Sequence, residues 1–122
     1  MSRILLSIHP EYVNRIINGK KSYEFRKIRC KRDVESIVIY ATAPVCKIVA
    51  EVEVIDIIEG NPDNIWKITR QYAGISKKNF ENYYKNSNNA VAYKLGEVKE
   101  YSNPVSLSDF GIRFAPQSYI YI

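Results

Sequence analysis

One histidine, two cysteines and no apolar run of membrane-spanning length: what the 122-residue chain lacks narrows its function early. His9, Cys30 and Cys46 are too few for the four ligands of a structural zinc site, and the cysteines lie too far apart for a C-x-x-C pair. We therefore expect no metal, no cofactor and two free thiols, since a reducing compartment disfavours a disulfide. No stretch approaches the roughly 20 apolar residues that cross a bilayer. Met1-Ser2-Arg3 leads straight into "ILLSI" without a signal-peptide pattern. A cytoplasmic protein with no membrane partner is the expectation. Linkers, low-complexity tracts and internal repeats are missing too, so residues 1–122 are read as one domain.

The remaining composition is that of a globular protein, 46% apolar and 25% charged. Its net charge of +5 is unevenly spread. From Lys20 to Arg32 there are seven basic residues (Lys20, Lys21, Arg26, Lys27, Arg29, Lys31, Arg32) and one acid, Glu24, a local +6 that leaves the rest nearly neutral. Clustering of this kind favours an anionic partner such as nucleic acid over a uniformly solvated surface.

Periodicity supplies the elements. "ILLSI" reads as a strand, and Pro10 and Glu11 open a helix that Gly19 ends, with Val13, Ile16 and Ile17 on its apolar side. "KSYEFRKI" alternates, placing Tyr23 and Phe25 on one face and Ser22, Glu24 and Arg26 on the other. "ESIVIYATA" and "KIVAEVEVIDII" are strand-like, with a turn at Ala43-Pro44-Val45 and a change of phase at Ile55 that predicts a bulge. Asn61 caps a second helix with an Ile65, Ile68, Tyr72 stripe, Gly74 ends it, and Ser76 caps a third through Phe80, Tyr83 and Tyr84. "NAVAYKLGEV" and "SYIYI" close the chain as strands around an irregular "PVSLSDFGI". The order β-α-β-β-β-α-α-β-β lacks the alternation of a doubly wound sheet and predicts an α+β, barrel-like fold.

Gly19-Lys20-Lys21-Ser22-Tyr23-Glu24-Phe25-Arg26 resembles the G-x-K-x-x-E-x-R signature of ASCH domains, members of the PUA-like superfamily. "LLSIHPEYVNRIINGKK", "IVIYATAPVCKIVAEVEVIDI" and "PQSYIYI" fit that family's opening, middle and closing segments, and His9 stands where similar sequences often carry lysine. The resemblance implies a PUA-like mixed β-barrel of about five or six strands with two or three helices, and a cleft beside the first helix. It implies RNA-related work, including transcription or translation regulation. The expected partner is RNA, another nucleic acid or a nucleotide-like small molecule. Expected contacts are Lys20, Lys21, Glu24, Arg26, Lys27, Arg29, Tyr40, Thr42 and Gln117, with Tyr40 and Thr42 ending a strand beside the motif.

Some similar proteins are amidohydrolases on acylated cytidine, and ribonuclease activity occurs in the group. On that alternative the catalytic residues are Lys21 with Glu24 or Glu53. Lys21 and Glu53 match the amidohydrolase lysine and glutamate, whereas Glu24 replaces the second threonine of its Lys-Thr-x-Thr run. A third reading is a small interaction domain whose basic face meets an acidic protein.

Overall fold

The structure, a computed structural model, describes residues 2–122. Strand β1 (Ser2–Ile8) is buried on both faces, with Ile4, Leu5, Leu6 and Ile8 all in the interior. That suits a strand paired in parallel with its neighbour, which here is β3 (Val34–Ala41). The connection between them carries helix α1 (Pro10–Ile17) and the short strand β2 (Tyr23–Arg26). Pro10 occupies the first turn of α1, Glu11 and Arg15 complement its dipole, and Val13 and Ile16 are the residues it buries. The helix ends where the amides of Lys20 and Lys21 both donate to the Arg15 carbonyl, with Gly19 at φ +83°. Because Lys20 and Lys21 are spent on this closure and the Ser22 amide donates to the Tyr72 carbonyl, the strand is shorter than "KSYEFRKI" suggests.

Strands β4 (Lys47–Gly60) and β5 (Ala90–Val105) form a long antiparallel pair, and β6 (Ile120–Tyr121) adds two residues against Ile4 and Leu5. The sheet order is β2-β5-β4-β3-β1-β6, six strands curled into a half-barrel with three helices. Register shifts between Val52 and Val54 and between Val54 and Asp56 produce the coiling that the phase change at Ile55 anticipates. The sheet does not close, since β2 is hydrogen-bonded to β5 alone and β1 is flanked by β3 and β6.

Two cores lie against β2 and β5. Val91, Tyr93 and Leu95 face the main core with β1, β3 and α1, whereas Ala90 and Ala92 face a second one with Tyr23, Phe25, Ile65, Phe80 and Tyr84. Helices α2 (Pro62–Thr69) and α3 (Lys77–Tyr83) cover the second core. Their caps are those the sequence indicates: Asn61 Oδ1 accepts from the Asn64 amide and Ser76 Oγ from the Asn79 amide.

The stripe of α2 differs from expectation. Ile65, Thr69 and Ala73 point inward at four-residue spacing, while Ile68 and Tyr72 are 58% and 54% exposed. Thr69 is tolerated in the interior because its hydroxyl donates to the Ile65 carbonyl at 2.8 Å. Among the described residues no helix is long and apolar enough to cross a membrane, and both cysteines are free thiols.

A 3₁₀ turn (Arg70–Tyr72) leads to Gly74, at φ +65°, whose Cα lies against Lys21. An added methyl group would overlap Lys21 Cα, Cβ and Cγ. Gly74→Ala is therefore expected to cost about 2–5 kcal/mol, combining left-handed strain with overpacking. Gly19→Ala, at φ +83° with open space around it, should cost only about 1–2 kcal/mol. Urea unfolding of both variants checks the contrast, and equal losses would refute it.

Candidate functional site

Pairing across the sheet decides where the polar face of β2 points. Glu24 stands opposite Tyr93 and Arg26 opposite Val91, the two β5 residues that face the main core. Directly paired residues share a face, so Glu24 and Arg26 project into the half-barrel at its open seam. There they meet the end of β1: Arg26 Nη2 donates to the Ser7 carbonyl at 2.9 Å. The same guanidinium grips one oxygen of Glu24, with Nη2 at 2.8 Å and Nε at 3.0 Å from Oε2. The pair is largely buried, its side chains 19% and 8% exposed.

Glu24 Oε1 has no protein donor among the described residues, yet no buried polar side-chain atom is left both unpartnered and sealed from solvent. The free oxygen therefore opens onto the cavity that Glu24 lines, a space of about 260 Å³. Tyr12, Phe25 and Tyr83 supply its aromatic wall, and Lys21 adds a third charge to those of Glu24 and Arg26.

Lys21 is 4% exposed. Its ammonium donates to the Ala73 carbonyl at 2.8 Å and lies 4.7 Å from the Phe25 ring centre and 5.2 Å from that of Tyr12. Burial pushes its pKa from 10.5 down to about 8, with Glu24 pulling the other way and Arg15 and Arg26 adding to the depression. Arg15 Nη1 donates to the Gly74 carbonyl at 2.9 Å, so one turn of chain holds both cations.

A second, smaller cavity of about 160 Å³ adjoins the first, and Arg26 and Tyr83 line both. Its lining also includes Lys27, Gln117 and Ser118, but no carboxylate. Lys27 Nζ lies 4.7 Å above the Tyr83 ring.

Lys21, Glu24 and Arg26 thus share one cleft, with Lys27 and Gln117 beside it. Lys20 is exposed and lines neither cavity, and Arg29 is turned to Glu59, 3.9 Å away. Tyr40 and Thr42 do not run beside the motif, because β5 and β4 stand between β2 and β3. Tyr40 packs with Leu5, Val38 and Ile48 in a third cluster, and the Thr42 amide donates to the Ile8 carbonyl in the turn containing cis Pro44. Glu53 sits in a different hollow with Glu35, Glu51, Glu97 and Lys99, and so does not join Lys21. Tyr12 and Tyr83, in contrast, are cleft residues that helical spacing marks only as flanking positions.

A larger hollow of about 900 Å³ lies between α2 and α3. Its cations Lys67, Arg70 and Lys77 and its anions Asp63 and Glu81 are all exposed. With no buried charge, it is the weaker candidate. Among the described residues no group of three or more His, Cys, Asp or Glu is placed to hold a metal ion.

A PUA-like α+β half-barrel with a charged cleft at its seam is the class that fold and site define. The ASCH domain profile matches residues 6–102, and the chain belongs to the ASCH domain family. It is 28% identical over 120 residues to the ATP synthase subunit alpha of Ureaplasma parvum serovar 3, an alignment covering 98% of this chain and 15% of that protein. It is 29% identical over 92 residues to an ASCH domain-containing ribonuclease of Zymomonas mobilis, covering 75% and 62% respectively. The chain thus spans less than two thirds of either relative. Its fold superimposes on the crystal structure of ASCH from Zymomonas mobilis with a TM-score of 0.89 at 25% identity, over 98% of this chain and 87% of that one.

The Lys21 shift carries a pH signature. With a folded pKa near 8 and an unfolded value of 10.5, the unfolded chain binds the extra proton between those limits, so this group's contribution to stability rises with pH there. Relative to Lys21→Met, wild type should gain up to about 3 kcal/mol in unfolding free energy from pH 8 to 10.5. Ionisation of Tyr84 and Tyr93, whose pKa values burial raises, acts on both proteins and cancels in the difference. A difference flat in pH would show that Lys21 is not desolvated.

Proposed function

We propose that the cleft binds one unstacked base of single-stranded RNA, and that the basic window beside it holds the neighbouring phosphates. The observation that carries this reading is the unpartnered Glu24 Oε1 in a buried, aromatic-walled space. A carboxylate accepts hydrogen bonds from the amino edge of a base, which phosphate-binding cations cannot do. Rings such as Tyr12, Phe25 and Tyr83 provide apolar and stacking contact, the usual means of taking a splayed base. The 260 Å³ volume lies below the about 300–1,000 Å³ of pockets for drug-sized ligands, which suits one ring system. A role in regulating transcription or translation in the cytoplasm fits a domain of this kind.

A second reading is hydrolysis in the same cleft, of a modified nucleoside or of RNA. Its support is the Lys21 amine, with its pKa near 8, beside Glu24, together with the similarity to a ribonuclease. Lys21 and Glu24 would then be the working pair, because Glu53 lies elsewhere. Turnover of acylated cytidine or of a labelled single strand, abolished in Lys21→Met, would favour this reading.

The binding reading is tested by titrating labelled homopolymer and mixed-sequence single strands. Glu24→Gln should reduce the preference for the best homopolymer by about tenfold and leave mixed-sequence affinity nearly unchanged. Equal weakening of both would show that the carboxylate only holds the fold. The salt dependence gives an independent check. Lys27→Ala should flatten the log-log slope by about 0.7, one phosphate on a single strand, and Arg29→Ala by less because Glu59 already offsets that charge.

A further inference from the structure

The two adjoining cavities differ in the chemistry they present. The larger holds a carboxylate with a free oxygen and three aromatic rings. The smaller holds no carboxylate, and its charged lining is Arg26 and Lys27 alone, with the Gln117 amide and the Ser118 hydroxyl beside them. Arg26 is the partition. Its Nε and Nη2 are held by Glu24 and Ser7, whereas Nη1 is taken by no acceptor among the described residues. Tyr83, 38% exposed, forms the other shared wall. A ligand that fills both spaces must therefore join a flat group bearing hydrogen-bond donors to an anion small enough for about 160 Å³. A nucleotide has that construction: a base linked through its sugar to a phosphate.

We infer that the smaller cavity is a phosphate subsite, in which Lys27, Gln117 and Arg26 Nη1 hold the phosphate of the nucleotide whose base lies in the Glu24 cavity. This rests on the base-binding reading above and deepens it, because it makes the ligand a nucleotide rather than a nucleoside or a free base. The split also explains why Arg26 and Lys27, of the basic window, line the smaller cavity while Lys20 and Arg29 do not. An ion placed between a guanidinium, an ammonium and neutral donors makes charge-assisted hydrogen bonds on several sides. Lys27 can reach it by leaving the Tyr83 face, exchanging a cation–π contact for an ion pair.

The test uses the full chain, with NMR or calorimetric titration of the four ribonucleosides and of their 5′- and 3′-monophosphates at low salt. The readout is the ratio of nucleotide to nucleoside affinity for each base. Wild type should favour one of the two monophosphates by about tenfold or more. In Lys27→Ala that ratio should fall towards one, and in Gln117→Ala it should fall partway. Lys99→Ala, which removes a charge from the hollow that holds Glu53, should leave the ratio at its wild-type value. A wild-type ratio near one, or a ratio lowered as much by Lys99→Ala as by Lys27→Ala, overturns the subsite. If nucleosides bind and phosphate adds nothing, the subsite falls while the base pocket stands. If neither nucleosides nor nucleotides perturb the cleft, both fall together.

Discussion

The Arg26–Glu24 pair is the contact on which the site depends, because it stands where the sheet fails to close. β2 and the far half of β1 face each other across a seam without a backbone ladder, and Arg26 spans it through the Ser7 carbonyl. A closed ladder there would leave no cleft. Side-chain closure keeps the space open but places an ion pair in a poorly hydrated setting. Removing one partner of such a pair leaves the other charge uncompensated, at a cost of about 3–5 kcal/mol. Both residues are thus held by stability as well as by any ligand.

Lys21 adds a third buried charge to the same place, and its neighbours explain how the fold accommodates it. Its amine has a carbonyl acceptor at Ala73 and two aromatic faces, and the residue that follows the acceptor, Gly74, has no side chain to crowd it. The Ser22 amide donates to the Tyr72 carbonyl, and Arg15 takes the Gly74 carbonyl. The end of α1, the start of β2 and the turn after α2 are thereby joined as one unit. The Glu24 carboxylate offsets part of the charge of both cations, Lys21 and Arg26, which is cheaper than burying either of them alone.

How much of this was legible beforehand follows from whether the relevant interactions are local. Caps at Asn61 and Ser76, the proline-led start of α1 and the alternation of Tyr23, Glu24, Phe25 and Arg26 are written within a few residues, and the structure contains each of them. The family signature brought the fold with it. Sheet order is a different matter. That β5 and β4 separate β2 from β3 depends on pairings across the whole chain, so local pattern puts Tyr40 and Thr42 on the motif's side although they lie elsewhere. The same non-locality hid Tyr83, which reaches the cleft only because α3 packs over β2, and it sent Glu53 to another hollow. On α2, a stripe at mixed three- and four-residue spacing suited two rotations of the helix. Contact with the second core selected the one that exposes Ile68 and Tyr72.

The seam also joins segments that lie far apart in the sequence. Ser7 Oγ donates to the Pro116 carbonyl, and Leu6 and Gln117 line the same small cavity. Contacts separated by almost the full length of a domain have the largest loop-closure entropy and tend to form late in folding. The buried residues of the main core all precede residues 116–119 in the chain, and of that segment Tyr119 alone packs against it. A nascent chain still short of those residues would already carry every residue that lines the Glu24 cavity but would lack one wall of the smaller cavity, so the two halves of the cleft would be completed at different moments.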